Sequence, residues 1–370
     1  MVPDRLSSRA LNRATLARQM LLERTDLSAS AAIERLVGMQ AQIPTDPYIG
    51  LWTRLRDFQP EQLARLIEGK RAVRIHLMRW TIHLASARDV HLLRPTLQPM
   101  LDQRLRTGGP FWRQLRGIDH ARLVAFGRRL LAERPLTLVE LGARLRERWP
   151  RYDPASMARA VVTFVPAVQP PPRGVWGQKG QATWIAAETW LGRGDPIAAA
   201  PDAMVMRYLK AFGPASVMDA QAWCGLTKLD EVVERLRPRL RAFRDEDGRE
   251  LFDPPRAPRP GPDTPAPVRL LPIYDNVLLG HADRTRVLPS SARAELFGGG
   301  SIGDAGGVLV DGTVRATWRL DRDRRGAQTM RIEPLDRLTV GERGSVEDEA
   351  SRLLALLSPD GTVGAVRISR

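Results

Sequence analysis

Several residues and segments are scarce or absent in the chain, and each absence narrows its possible functions. Cys224 is the one cysteine among 370 residues, so no disulfide can form within the chain, as is usual in a reducing cytoplasm. One cysteine and five scattered histidines give no ligand spacing for zinc, and we expect no metal and no cofactor. No run of about 18 apolar residues is present, and the first residues lack the apolar core of a signal peptide. We therefore expect a cytoplasmic protein without a membrane segment.

Lysine is also scarce, so arginine carries almost all of the positive charge. The formal net charge is +15, and the basic residues are spread along the chain rather than confined to a tail. A folded basic protein of this size commonly binds a polyanion, and arginine suits phosphate groups and narrow minor grooves. A GC-rich genome would also enrich arginine, so the net charge is the stronger indication. It predicts a nucleic-acid partner and a location at the nucleoid.

The order of predicted elements repeats three times along the chain. Apolar residues at helical spacing predict several short helices first, and the alternating pattern over residues 72–86 then predicts two strands. The second repeat has a helix-capping pair at Thr137 and Glu140, and the third has one at Ser216 and Asp219. Short helices followed by a β-ribbon are typical of a winged helix-turn-helix unit, which commonly reads DNA.

The predicted fold class is α+β, with three tandem winged helix-turn-helix units and a C-terminal β-rich segment. The boundaries that we predict are residues 1–110, 111–198, 199–262 and 263–370. Asp247-Gly248 and Asp311-Gly312 are strong signals for β-hairpins. Within the last segment we also expect a strand over residues 277–280 and a loop at the glycines 298–300.

The stretch Met39-Gln40-Ala41-Gln42 is the most unusual local feature. It follows a predicted helix over residues 31–40, and two glutamines one residue apart cannot both face water along one helical stripe. A buried amide is costly unless its hydrogen bonds are satisfied. From the spacing alone, a helix end whose amides bond to loop backbone is favoured over a functional groove. The usual motifs of nucleotide-binding loops, serine hydrolases and zinc proteases are absent from the sequence.

Three motifs nevertheless resemble those of the AlkZ-like family of winged-helix DNA glycosylases, in the same order along nearly the whole chain. They are Gln40-Ala41-Gln42, similar to the family's glutamine–aliphatic–glutamine catalytic motif, then Arg79-Trp80-Thr81-Ile82-His83, and then His281-Ala282-Asp283-Arg284, preceded by Tyr274-Asp275-Asn276. The resemblance implies a monofunctional DNA glycosylase that hydrolyses the N-glycosidic bond of N7-alkylguanine and unhooks interstrand cross-links. Its role would be DNA repair or self-resistance to genotoxic alkylating natural products.

Under this resemblance Gln40 and Gln42 are the catalytic residues, which position a water molecule and the deoxyribose. Alkylation at N7 makes guanine a cation and a good leaving group, and the sugar develops oxocarbenium character as in glycoside hydrolysis. An amide can orient the water without taking its proton, whereas a carboxylate would be a stronger base. The glutamine pair therefore predicts selectivity for cationic lesions.

The resemblance also implies how the protein meets DNA. His281, Asp283 and Arg284 would bind in the minor groove, with Arg284 reaching acceptors and Asp283 orienting Arg284 or His281. Arg79 and His83 would support the glutamines, although a core histidine is an equal alternative for His83. A cross-linked base cannot swing fully out of the duplex. A monomer with its three units in a C-shaped arrangement would instead offer a concave basic surface to double-stranded DNA that carries alkylated or cross-linked guanine.

Two alternatives share the charge and the winged helices. One is a non-catalytic regulator that binds a specific DNA sequence, and the other is a protein that shields lesions without cutting. Steep salt dependence is expected of all three, because phosphate contacts dominate DNA affinity. The glutamine pair distinguishes them, since a regulator has no need of Gln40 and Gln42 in a groove.

Overall fold

The structure is a computed structural model that describes residues 4–107, 110–192, 198–297, 305–323, 328–358 and 364–369. The described residues form a mixture of helices and strands, which confirms the α+β class. The tandem winged-helix arrangement and its C shape stay predictions. None of the described helices is both long and apolar enough to cross a membrane.

The first part of the chain contains the predicted short helices and β-ribbon. Pro60 begins the fourth helix and Gly69 ends it, as the sequence predicts. The elements are β1 (Asp4–Arg5), α1 (Ser8–Arg18), α2 (Ala29–Arg35), β2 (Met39–Gln40), α3 (Asp46–Trp52), α4 (Pro60–Glu68), β3 (Ala72–His76), β4 (Ile82–Ser86) and α5 (Ala87–Thr107). Strands β3 and β4 are antiparallel neighbours, which confirms the ribbon predicted over residues 72–86.

The second part repeats the helices before its strands. A capping box forms at Thr137 and Glu140, because each side chain bonds to the other's backbone N–H, and it starts the eighth helix as predicted. The elements are α6 (Pro110–Arg113), α7 (His120–Glu133), β5 (Leu136–Thr137), α8 (Leu138–Arg148), α9 (Pro154–Phe164), β6 (Ala167–Gln169), β7 (Thr183–Ala186) and α10 (Ala187–Leu191).

The third part again places helices before a hairpin. The capping pair of Ser216 and Asp219 is present, and the hairpin at Asp247-Gly248 forms as predicted. The elements are α11 (Pro201–Phe212), α12 (Val217–Cys224), α13 (Asp230–Leu236), β8 (Arg241–Arg244) and β9 (Glu250–Asp253).

The C-terminal part is built around a five-stranded sheet. Asp311 and Gly312 both have positive φ, which suits the tight hairpin predicted there. The strand predicted over residues 277–280 is wrong, because the Asp275 side chain accepts from the Val277 N–H and starts a short helix. The glycines 298–300 lie outside the described residues. The elements are β10 (Arg269–Leu270), α14 (Asn276–Leu279), α15 (Ser290–Phe297), β11 (Gly306–Val310), β12 (Thr313–Arg322), β13 (Gln328–Pro334), α16 (Val340–Leu357) and β14 (Ala365–Ile368).

Strand pairing crosses the boundaries that the sequence predicts. Strand β3 pairs with β6, with Ile75 opposite Val168, so the ribbons of residues 1–110 and 111–198 belong to one six-stranded sheet. Strand β1 pairs in parallel with β8 of the third part. The division into units therefore stays a prediction from element order, and the first three parts of the chain are joined by shared sheets.

Buried ion pairs also tie distant parts of the chain together. The Arg18 guanidinium on α1 pairs with Asp253 at the end of β9, and both side chains are fully buried. The Arg54 guanidinium pairs with Asp275 through two hydrogen bonds of 2.6 and 2.7 Å. The second pair holds the C-terminal part beside α3, which lies directly after the glutamine motif.

Candidate active site

The Gln40-Ala41-Gln42 motif lies on an edge strand rather than at a helix end. Helix α2 ends at Arg35, and Val37 and Gly38 then adopt left-handed conformations with φ of 58° and 86°. The chain reverses there and β2 pairs antiparallel with β4, placing Gln40 opposite His83. The helix predicted over residues 31–40 is therefore wrong in its C-terminal half, because the left-handed pair ends it early.

Only the first residue of the motif lies within β2, and the chain bends at Gln42. The Ala41 N–H donates to the Ile82 carbonyl at 2.8 Å, which continues the strand pairing beyond Gln40. The Gln40 side chain is buried, with 7% exposed, while Gln42 is exposed to solvent. Ala41, between them, is fully buried in the core.

Each glutamine amide is fixed through its oxygen. The Arg79 Nη2 atom donates to Gln40 Oε1 at 2.9 Å, and the Ile82 N–H donates to Gln42 Oε1 at 3.3 Å. Both partners are donors only, so the oxygens must face them and the NH₂ groups point away. Each amide oxygen keeps a second lone pair. The pair can therefore still accept hydrogen bonds from water while its orientation is held.

Arg79 reaches Gln40 from a strained turn. Arg79 and Trp80 have positive φ, of 55° and 63°, in the 3-10 turn that connects β3 and β4. The Arg79 guanidinium also donates to the Trp223 carbonyl on α12. Burial, and then the nearby Arg284, lowers its pKa to about 10, so the group remains a cation at neutral pH. The turn thus holds a positive charge between α12 and the glutamine strand.

His83 lies behind Gln40 in the same sheet. Its side chain is buried, with 1% exposed, and its Nδ1 atom is 3.0 Å from the Thr81 carbonyl, to which a neutral ring can donate. Burial, and then the Arg79 charge, lowers its pKa to about 3, so the ring is neutral at physiological pH. A neutral buried ring can hold the β3–β4 hairpin but cannot supply a cation to the site.

Asn276 joins the C-terminal part to the glutamine strand, a role that sequence reasoning missed. Its Nδ2 atom donates to the Gly38 carbonyl at 2.6 Å, and its Oδ1 atom accepts from the Gln40 N–H at 3.3 Å. One side chain thereby provides hydrogen-bond partners for a backbone carbonyl in the turn after α2 and for a backbone N–H in β2. Its position after Tyr274-Asp275 in the third motif was the available signal, but 236 residues separate Asn276 from Gln40.

The segment that begins at His281 is anchored in the interior at its first residues. The His281 Nε2 atom is 3.0 Å from the Phe212 carbonyl, and the ring is 2% exposed. Burial, and then Arg286, lowers its pKa to about 3. The Ala282 N–H donates to Asp219 Oδ1 at 2.9 Å, which fixes the segment to the start of α12. His281 is therefore a neutral anchor, with its ring turned away from solvent.

Asp283 and Arg284 lie nearer the surface. Asp283 accepts hydrogen bonds from the Arg249 guanidinium at 2.8 Å and from Thr285, and its charge also acts on His281, so its orienting role stays a prediction. The partner comes from the β8–β9 hairpin, which the local sequence could not indicate. Arg284 is half-buried and its guanidinium lies 5.7 Å from the centre of the Phe297 ring. Arg284 also lowers the pKa of Arg79, so the charges of the second and third motifs interact.

Asp46 is a titratable group near the glutamines that none of the three sequence motifs includes. It begins α3, four residues after Gln42, and its side chain is 3% exposed. Its Oδ2 atom is buried and has no hydrogen-bond partner within the described residues. Burial raises its pKa to about 7. Elsewhere in the described ranges, no group of three or more His, Cys, Asp or Glu side chains could hold a metal ion.

Asp46→Asn is expected to stabilise the protein above neutral pH. The pKa of Asp46 is about 7 in the fold, whereas an aspartate in an unfolded chain has a pKa of about 3.9. The fold therefore disfavours the charged form, and stability is lost as the pH rises from about 4 through 7, by up to about 4 kcal/mol. Asparagine carries no charge. Denaturant titrations at pH 5 and pH 8 should show that the free energy of unfolding of Asp46→Asn, relative to the wild type, is higher at pH 8 than at pH 5. An equal difference between the two proteins at both pH values would contradict the raised pKa.

Comparison with known proteins identifies the class to which this site belongs. The family model described as DNA glycosylase AlkZ-like matches residues 33–356, which is most of the chain. The chain therefore belongs to the AlkZ-like family and is a DNA glycosylase. This confirms the resemblance drawn from the three motifs, and it decides against the two alternatives that only bind DNA.

A solved structure has the same fold over its full length. The chain is similar to the Streptomyces sahachiroi DNA glycosylase AlkZ, with a TM-score of 0.77 over 99% of this chain and 100% of that one. The two sequences are 21% identical, so the similarity shows the shared fold. A search of curated proteins finds no match.

Proposed function

We propose that this glycosylase hydrolyses the N-glycosidic bond of N7-alkylguanine in duplex DNA, including guanines held in interstrand cross-links. The observation that carries the proposal is the pair of oriented amides, Gln40 at the end of β2 and Gln42 just beyond it. An amide neither gives nor takes a proton readily. Such a site suits a base that already carries a positive charge and leaves without acid catalysis.

The reaction that we propose needs the amides only to position a water molecule. The second lone pair of each amide oxygen accepts a hydrogen bond from the water, so that the water oxygen faces C1′ of the deoxyribose. The bond from water to C1′ forms as the C1′–N9 bond breaks, and the electron pair neutralises the departing base. One proton of the water stays on the new C1′ hydroxyl, and the other passes to solvent. The products are N7-alkylguanine, an abasic site and one proton.

The same geometry supports selectivity against normal guanine. An unmodified base would leave as an anion, which requires a positioned acid, and neither Gln40 nor Gln42 can supply one. Arg79 holds the Gln40 oxygen but stays protonated. The site therefore supplies orientation and not proton transfer, and rate enhancement depends on the positive charge that alkylation has placed on the base.

Within the DNA-binding segment we assign the direct contact to Arg284. His281 and Asp283 shape the segment, the first through Phe212 and the second through Arg249. Arg284 is half-buried, and its positive charge repels that of Arg79 and lowers the Arg79 pKa. An anion such as a phosphate would relieve the repulsion between the two arginines. We propose that this segment enters the minor groove beside the lesion.

Arg284→Ala is expected to weaken duplex binding about tenfold and to reduce the dependence of log Kd on log salt by about one unit, as for one lost phosphate contact. Fluorescence anisotropy with unmodified duplex at four salt concentrations measures both quantities. Arg56→Ala is the matched control, because Arg56 is exposed and already paired with Asp26. A slope that Arg284→Ala leaves unchanged would remove Arg284 from the interface.

A gel assay tests whether the lesion class is correct. One duplex carries a single N7-methylguanine, and a second carries one interstrand cross-link through two guanine N7 atoms. After incubation, a denaturing gel resolves unhooked strands, and mild alkali cleaves the abasic sites. We expect product from both duplexes. If neither yields product while unmodified duplex is still bound, the enzyme acts on another lesion.

We propose that one molecule acts alone at the chromosome. Three DNA-contacting parts in one chain need no second copy to span a lesion, and a cross-link that stays within the duplex must be approached in place. A mass measurement in solution, with and without duplex, should give one protein per lesion.

A further inference from the structure

A large apolar side chain lies on the surface at the start of helix α12. Met218 is 62% exposed, and among the described residues only Val139 and Val340 are large apolar side chains with a greater exposed fraction. A single exposed apolar side chain is common in folded proteins and indicates no function by itself. The surroundings of Met218 therefore decide whether it has one.

Met218 belongs to a helix face without charge. Gln221, Ala222 and Gly225 follow it at helical spacing, so the four residues lie along one side of α12 and its C-terminal cap, and none of them is buried. Such a face can approach another surface without removing water from an ion, which would be costly. The face is therefore open to a close contact with a partner.

The methionine side chain is held in place on this face. The Gln221 Nε2 atom donates to the Met218 sulfur at 3.5 Å, and the Gln221 Oε1 atom accepts from the Leu229 N–H at 3.0 Å. An exposed side chain that is already ordered loses less entropy on binding than a free one. Methionine is also one of the apolar side chains that proteins insert between base pairs from the minor groove.

The two ends of α12 adjoin the third and second motifs. At the start of the helix, Asp219 follows Met218 and accepts from the Ala282 N–H at 2.9 Å. At its end, a Cβ atom placed on Gly225 would lie 3.6 Å from the Cα atom of Arg79. The helix has eight residues and is therefore roughly 12 Å long. Met218 thus lies beside the segment that we assign to the minor groove, one helix length from the turn that supports the glutamines.

The next helix, α13, does not suit contact with DNA. In a helix-turn-helix the second helix lies in the major groove, and α13 has that place in the predicted third unit. Its exposed side chains include Asp230, Glu231 and Glu234, which the phosphates of DNA repel. The exposed Arg235 on the same helix is paired with Asp202. The charges therefore favour contact through α12 rather than α13.

We propose that α12 meets the minor groove beside the lesion and that Met218 inserts between two base pairs there. The inference rests on the proposed function, which places residues 281–284 in the same groove. An inserted apolar side chain unstacks one base step and kinks the duplex. Because a cross-linked guanine cannot swing fully out, this distortion opens the duplex so that the glutamines reach the glycosidic bond. The length of α12 places the unstacked step within about four base pairs of the lesion.

A fluorescent base detects the unstacking directly. The duplex carries one N7-methylguanine on a 2′-fluoro sugar, which resists hydrolysis, and 2-aminopurine at successive positions on either side of it. The fluorescence of 2-aminopurine rises when the base loses its stacking. On binding of the wild type we expect a severalfold rise at one step within about four base pairs of the lesion.

Variants assign the rise to Met218. Met218→Ala should lose most of it, whereas Met218→Leu, which is similar in volume and apolar, should keep it. Met218→Lys should bind at least as tightly as the wild type, because it adds a positive charge, yet it should lose the rise. Val340→Ala is the matched control, since Val340 is 92% exposed at the start of α16, and it should behave as the wild type.

Excision provides a second readout with a rescue. Met218→Ala should slow single-turnover excision of N7-methylguanine about tenfold at saturating protein, because the cost of unstacking is no longer offset by the inserted side chain. A mismatch at the unstacked step should restore most of the lost rate, since a mismatched pair is easier to open. A side chain with only a structural role would give no such rescue.

The outcomes distinguish this inference from the function on which it rests. No rise at any position, or a rise that Met218→Ala retains, would overturn the insertion, while excision of N7-methylguanine would still support the proposed function. If no lesion is excised but the fluorescence rises in a manner that depends on Met218, the proposed function fails and the contact through α12 stands. Chemical denaturation checks that each variant is folded.

Discussion

Gln42→Ala is expected to slow the release of N7-methylguanine from duplex DNA about a hundredfold, the lower end of the range for positioned catalytic groups. Gln42 is exposed and its one bond within the strand pair is long, 3.3 Å from the Ile82 nitrogen. Its removal should therefore leave the free energy of unfolding nearly unchanged, and the rate loss can be read as lost positioning of the water. Single-turnover excision measures the rate, and chemical denaturation checks the fold.

Comparison with two further variants makes the result specific. Gln62→Ala on the exposed face of α4 is the matched control and should excise at the wild-type rate. Gln42→Glu retains an oxygen that can accept from Ile82 and from water, so it should keep most of the activity. A Gln42→Ala protein as active as Gln62→Ala would remove Gln42 from the reaction.

Gln40→Ala should lose at least as much activity as Gln42→Ala, and it should also be less stable. The Gln40 oxygen accepts from the partly buried Arg79 guanidinium, and its removal leaves that cation with one fewer partner. The two single variants thus differ in stability while sharing the loss of activity. A Gln40→Ala protein that is destabilised but fully active would confine Gln40 to a structural role.

Asp275→Ala is expected to destabilise the protein by about 3–5 kcal/mol, the usual result of removing one member of a buried ion pair. Arg54 and Asp275 are 0% and 2% exposed, and the loss of the carboxylate leaves the guanidinium with carbonyl acceptors alone. That loss is a large fraction of the roughly 5–15 kcal/mol that is typical of a folded domain. Urea denaturation measures it.

The control for this prediction is Asp26→Ala, which removes an exposed partner of Arg56 and should cost less than about 1 kcal/mol. Because Asn276 follows Asp275 and bonds to Gln40, the folded fraction of Asp275→Ala should also excise more slowly. Equal unfolding free energies for Asp275→Ala and Asp26→Ala would show that the buried pair does not fasten the C-terminal part to α3.

Features encoded by neighbouring residues could be predicted from the sequence. The hairpins at Asp247-Gly248 and Asp311-Gly312 form because positive φ at the turn is inexpensive for glycine, and the capping boxes form from side chains three residues apart. The family could also be recognised, since its three motifs are short runs of residues. None of these requires knowledge of distant contacts.

Features that depend on distant residues could not be predicted. The local pattern predicts a helix end where strand β2 forms, because the partner strand β4 lies some forty residues away. Asn276, Arg249 and Trp223 reach the site from far along the chain, and no local pattern indicates that Asn276 satisfies Gln40 or that Arg249 pairs with Asp283. Asp46 is buried near Tyr274, Asp275 and Arg74, all distant in sequence, and no local pattern indicates that burial.

The most direct test of the central proposal is to identify the product. Duplex DNA with one N7-methylguanine is incubated with excess wild-type or Gln42→Ala protein, and the free base is quantified by mass spectrometry against spontaneous loss. We predict one equivalent of free N7-methylguanine and one abasic site per duplex with the wild type, formed about a hundredfold more slowly with Gln42→Ala. Release no faster than the spontaneous loss, or equal release by both proteins, would contradict excision of N7-alkylguanine by the glutamine pair.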